Sequence, residues 1–144
     1  MLTTTEVLRQ SANRRSSKRE VDLQIGLTRR IAAALPNRRH QSYVNHSYHD
    51  ILTQRIYQSA CGYEDGNDAT SLRHDSRFKL GAARPPFDDG AALASGATIS
   101  CFEHVASRQD IYRVSQALVE QFIAGFATPP KSLILDLDHS DDAC

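Results

Sequence analysis

The chain has 144 residues, balances 17 Lys and Arg against 17 Asp and Glu, and is 40% hydrophobic and 24% charged. That is enough chain for one domain with a working core, and the composition is globular rather than that of a disordered segment. Apolar runs such as Ile31–Leu35 fall far below the ~20 residues of a membrane span, no basic-then-apolar leader opens the chain, and Cys61, Cys101 and Cys144 make no CxxC pair, so a reduced cytoplasmic protein without a disulfide scaffold, zinc knuckle or membrane anchor is expected.

Residues 1–18 are polar, rich in Ser, Thr and Arg, and read as a basic arm without sustained periodicity. Val21, Leu23 and Ile25 then lead into Gly26, which can close a short helix in a left-handed conformation; Thr28 is positioned to cap a second helix, ended by Pro36. This order is that of a helix-turn-helix, and more commonly that of two helices simply packed together. Arg29, Arg30, Arg38 and Arg39 flank the second helix as basic pairs suited to phosphate contacts, which makes them the candidate DNA-binding residues.

Ser47 and Asp50 have capping-box spacing, and Ile51, Leu52, Ile56, Tyr57 and Ala60 follow on a helical stripe that Gly62 should stop. His46 and His49 are three apart, a spacing able to hold metal, but without a completing ligand set they read as cap-region histidines. A turn-rich acidic link follows, then short helices over 68–74 and up to Leu80. Residues 81–97, with Pro85-Pro86 and Asp88-Asp89-Gly90, form the clearest loop. Thr98 is placed to cap a short helix carrying Ile99, Phe102 and Val105. Ser107 and Asp110 repeat the capping box ahead of the best helix, with Ile111, Val114, Leu118, Phe122 and Phe126 on one face, stopped by Thr128-Pro129-Pro130.

The final run, Ser132 to Asp138, has strand length and alternates Leu133, Leu135 and Leu137 with Ile134, Asp136 and Asp138. The two aspartates share one strand face, about 6.6 Å apart along the chain. Carboxylates at the end of an apolar strand suit Mg2+, and an ordinary acidic turn would have the same pattern. With no sequence partner for pairing, the strand is expected to be exposed, poorly ordered, or packed on the Ile111–Phe126 helix.

The neutral total conceals a division. Residues 1–60 carry ten basic and four acidic residues, a net of +6, and residues 61–144 carry a net of −6. A nucleic-acid-facing front and a metal- or partner-facing rear would produce this, and so would ordinary solvated surface.

Several segments, in order, resemble the front part of a bacterial insertion-sequence transposase of the DDE-domain group 1 branch. They are Arg19-Glu-Val-Asp22 with Gly26-Leu-Thr28; Gln54-Arg-Ile-Tyr57 leading to Gly62-Tyr-Glu-Asp65 and Asn67-Asp68; and Leu72-Arg73-His74-Asp75. Leu93-Ala-Ser-Gly96, Thr98-Ile-Ser100 and Phe102-Glu103 follow, and finally Pro129-Pro130 with the run from Leu135 to Asp142. The resemblance spans about 125 residues from Arg19 onward. It implies a mainly α chain: a helical DNA-binding region over 19–128, then, over 129–144, the first β-strand of an RNase H-like α/β catalytic core. Asp138-His139-Ser140 matches the family's Asp-x-Thr/Ser element, which makes Asp138 the implied catalytic residue and Mg2+ ligand, with Asp136 as the alternative.

The implied partners are terminal inverted-repeat DNA and a second copy or a full-length transposase. Cys101 and His104 depart from the Arg and Asn expected in such a segment. The family's later strands and carboxylates have no counterpart in the 144 residues, so a truncated transposase, inactive by itself, is expected. A stand-alone helical DNA-binding regulator or transposition inhibitor is the alternative. A helical interaction domain is a third, favoured if the front-half basic residues scatter on folding.

Overall fold

The computed structural model describes residues 18–128 and 130–134, which are mainly helical and contain no β-strand. Residues 1–17, most of the expected arm, lie outside them, as does the greater part of the expected strand, including Asp136 and Asp138. Seven α-helices run in order: α1 (18–25), α2 (Leu27–Ala34), α3 (Tyr48–Ser59), α4 (Asp68–Ser71), α5 (Ser76–Gly81), α6 (Gly96–Val105) and α7 (Arg108–Ala124). Short 3-10 turns occupy Gln41–Tyr43 and Asp89–Ala91.

Local chemistry sets most helix ends. Gly26 adopts φ 71° between α1 and α2, a conformation that costs a residue without Cβ nothing. Both expected capping boxes form: Ser47 with Asp50 at α3, and Ser107 with Asp110 at α7. Two caps differ from the sequence expectation. Thr28 lies inside α2, its amide taken by Asp22 from the preceding helix. At α6 the cap is Ser95, whose hydroxyl accepts the Thr98 amide, so the helix starts two residues before Thr98.

The core gathers Ile51 of α3, Ala69 of α4, Ala94, and Ile99 of α6, with Phe102 packed against them. The buried side of α3 is not the expected stripe. Thr53, Gln54 and Gln58 are buried beside Ile51 and Tyr57, while Ala60 is exposed. Gln54 explains the rotation: its amide donates to the Ala94 carbonyl and accepts the Ala94 amide, each at 2.8 Å, in the manner of one rung of a sheet. Burying it satisfies two backbone groups that the α5–α6 connection leaves without partners. That connection is held by cations. Buried Lys79 donates to the Asp88 carbonyl, Arg84 to that of Ala92 and Arg73 to that of Leu93.

Helix α2 packs against both α3 and α7. The contact with α7 overturns the expected orientation of that helix. Asp110 and Ala117 are its buried residues, whereas Ile111, Leu118, Phe122 and Phe126 are 41–58% exposed. Small Ala117 permits close approach to α2, and the wide apolar face points outward.

Candidate functional site

A cavity of about 500 Å³ lies where α1, α2, α3 and the end of α5 meet. Its floor is a hydrogen-bonded clasp. Because Gly26 bends the chain back, Asp22 in the last turn of α1 reaches the first turn of α2. One carboxylate oxygen accepts the Thr28 amide at 2.9 Å; the other accepts the Thr28 hydroxyl at 2.6 Å and the Tyr57 hydroxyl at 3.1 Å. Thr28 has spent its single proton on Asp22, so His49 Nε2, 3.1 Å from Thr28 Oγ1, must be the donor in that pair. Burial, reinforced by the charge and hydrogen bond of Asp22, pushes the Tyr57 phenol well above its usual range. With Thr28 1% exposed, this network joins three helices rather than presenting a nucleophile.

His46 and His49 do not converge on a metal. His46 Nδ1 faces Arg84 Nη2 at 3.0 Å, while Arg84 also reaches Asp50 at 3.4 Å. Burial, and then the Arg84 charge, lowers the His46 pKa. No group of three or more His, Cys, Asp or Glu residues gathers as a metal site among the described residues.

The four candidate DNA-binding arginines separate. Arg30 pairs with Glu120 at 3.6 Å and donates to Gln121 at 2.9 Å. Arg38 forms a two-pronged pair with Asp110, which also binds Arg113 and its own capping partner Ser107. These contacts, the Ser107 bonds foremost, hold the Asp110 pKa at about 2. Arg39 donates to the His46 carbonyl and covers the Tyr48 ring at 4.1 Å. Arg29 is exposed and lines the cavity, and Arg19, quoted for the resemblance but not among the candidate DNA-binding residues, lines it too. With Arg55 on Glu103 at 2.9 Å, three front-half arginines meet acids of the rear half. Part of the +6/−6 division is therefore consumed within the fold.

The segments quoted for the transposase resemblance prove to be one another's partners. Asp22 and Thr28 meet Tyr57; Gln54 clamps Ala94; Arg55 pairs with Glu103; and Arg73 holds Leu93. The residues that carry the resemblance thus also build this fold, and the chain matches the family described as Transposase DDE domain group 1 over residues 18–144. The chain belongs to that family. Neither a curated protein nor a solved structure matches it. The family match includes Asp136 and Asp138, both outside the described residues. Cys101 and His104 are both exposed on α6, with His104 Nδ1 2.8 Å from the Ser100 carbonyl oxygen. Among the described residues, no helix is long and apolar enough to cross a membrane.

Proposed function

We propose that residues 19–128 are the DNA-engaging helical region of a DDE transposase, and that residues 129–144 bring the first strand of its catalytic core. The family match across 18–144 carries this reading. Asp138, within Asp138-His139-Ser140, is proposed as the first catalytic carboxylate, with Asp136 beside it on the same strand face. Mg2+ is the ion this role implies, and hard carboxylate oxygens suit it. When bound, it would activate an attacking oxygen and stabilise the leaving one.

A two-metal site needs carboxylates converging from separate elements, and these two come from one strand. The 144-residue polypeptide by itself is therefore expected to bind terminal inverted-repeat DNA without performing strand transfer. Arg29 and Arg19, which line the cavity, are the arginines best placed for phosphate contact, since neither makes a hydrogen bond or an ion pair with a carboxylate among the described residues. Mobility-shift titration with duplexes carrying the inverted repeats that flank the coding gene tests this. Preference for the repeat over a scrambled duplex of equal length supports the reading, with Asp138→Asn leaving binding unchanged. Equal affinity for both duplexes, or none for either, refutes it.

A further inference from the structure

The outward face of α7 is the largest feature that the proposed function leaves unused. Ile111, Leu118 and Phe122, with Tyr112, Val119 and Ile123 beside them, span roughly 140° of the helix at 100° per residue, and Phe126 follows just beyond its end. All seven are at least 41% exposed. Few monomers leave so continuous an apolar stripe uncovered without a binding role.

We propose that the stripe seats residues 132–138 of the same chain, with Leu133, Leu135 and Leu137 laid along α7 and Asp136 and Asp138 facing away. The proposal rests on reading those residues as the strand that bears Asp138, and four observations favour this occupant. The chain arrives in the right place: Pro129-Pro130 forbids further helix just beyond Phe126. The spacing fits, because alternate strand residues advance ~6.7 Å and helix residues four apart advance ~6 Å. Leu135 and Leu137 can therefore meet successive layers at Phe122 and Leu118, with Phe126, just past the helix end, left for Leu133. The lengths agree too, at about 20 Å for the strand and about 18 Å from Ile111 to Ile123, the helical part of the stripe. Finally, the described start of the segment is already asymmetric: Leu133 is 55% exposed, and its neighbour Ile134 is 97% exposed. Seated this way, the helical region would carry the proposed catalytic carboxylate on its own surface, not on a free tether.

Disulfide trapping tests the placement in the full chain with Cys61, Cys101 and Cys144 changed to Ser. Leu135→Cys is combined with Phe122→Cys or with Leu118→Cys, and Ile134→Cys with the same partners supplies the control. Circular dichroism checks that each variant retains its helices. At least one Leu135 pair is expected to close within the monomer about tenfold faster than its Ile134 counterpart, the advantage of a held over a roaming partner. Equal rates for Leu135 and Ile134, or no closure with either partner, would overturn the proposal. Predominantly disulfide-linked dimers would overturn it as well and assign the stripe to a second copy. Because trapping needs no DNA, its outcome is independent of whether the chain binds the inverted repeats.

Discussion

Asp22→Ala removes the single acceptor on which α1, α2 and α3 converge. Three hydrogen bonds are lost: the Thr28 amide, the Thr28 hydroxyl and the Tyr57 hydroxyl. Bonds to a charged acceptor contribute about 1.5–3 kcal/mol each, so a dry site would lose roughly 4.5–9 kcal/mol. Water entering the adjoining cavity can satisfy Tyr57 in part, although Thr28 is 1% exposed and gains little from it. A loss of about 3–5 kcal/mol follows, a large fraction of the ~5–15 kcal/mol that holds a domain together. Asp22→Asn keeps an acceptor for the Thr28 amide, while its NH2 accepts from neither hydroxyl but can donate to them, so it should lose about half as much. Urea unfolding followed by circular dichroism at neutral pH measures both, with the midpoint shifting and the slope unchanged. A loss under about 1 kcal/mol for Asp22→Ala, or equal losses for Ala and Asn, would refute the clasp.

Gln54→Leu should cost roughly 2–4 kcal/mol in the same assay, because it leaves the buried Ala94 amide and carbonyl without partners; a near-neutral result would contradict the Gln54 clamp. The lowered His46 pKa means that the unfolded chain takes up protons first as pH falls below 6.5, so stability should decline there, and a neutral substitution such as His46→Gln should flatten that decline. Asp110 has the depressed pKa of a stabilised carboxylate. Its contribution should be complete above its ordinary 3.8 and disappear as pH falls toward about 2, a limb that Asp110→Asn should lack in acid titrations monitored by circular dichroism. Tyr57 gives the alkaline counterpart: its raised pKa predicts stability lost as pH rises above 10.0, less steeply in Tyr57→Phe.

What the sequence disclosed follows the range of the interactions involved. Gly26, the two Ser-x-x-Asp boxes and the helix-stopping Pro36 act on residues within a turn of themselves, and each was readable without knowledge of the fold. The outward face of α7 was not, because apolar periodicity identifies a face without saying which neighbour covers it. Here α2 meets the small and polar side through Ala117, Asp110 and Gln121. Gln54 was hidden for a different reason: a buried amide looks like a surface residue until the backbone it serves is known. The arginines make the same point for the candidate site. Arg30 and Arg38 looked free to meet phosphate, yet their carboxylates come from the other end of the chain, in Glu120 and Asp110. Arg29 keeps that freedom, and Arg19 joins it only because α1 folds back over the cavity. The proposed role of Asp138 rests on its own Asp138-His139-Ser140 motif, without help from the described geometry.

The most direct test of the DNA-engaging role is fluorescence anisotropy with terminal inverted-repeat duplex over a series of salt concentrations. The wild-type chain is expected to bind the repeat more tightly than scrambled duplex, with affinity falling steeply as salt rises. Arg29→Ala should weaken binding to both duplexes and reduce the log–log salt slope by about one, the signature of a lost phosphate contact. Affinity that is flat from low to physiological salt, or identical for repeat and scrambled DNA, would contradict the assignment of the helical region to transposon-end binding.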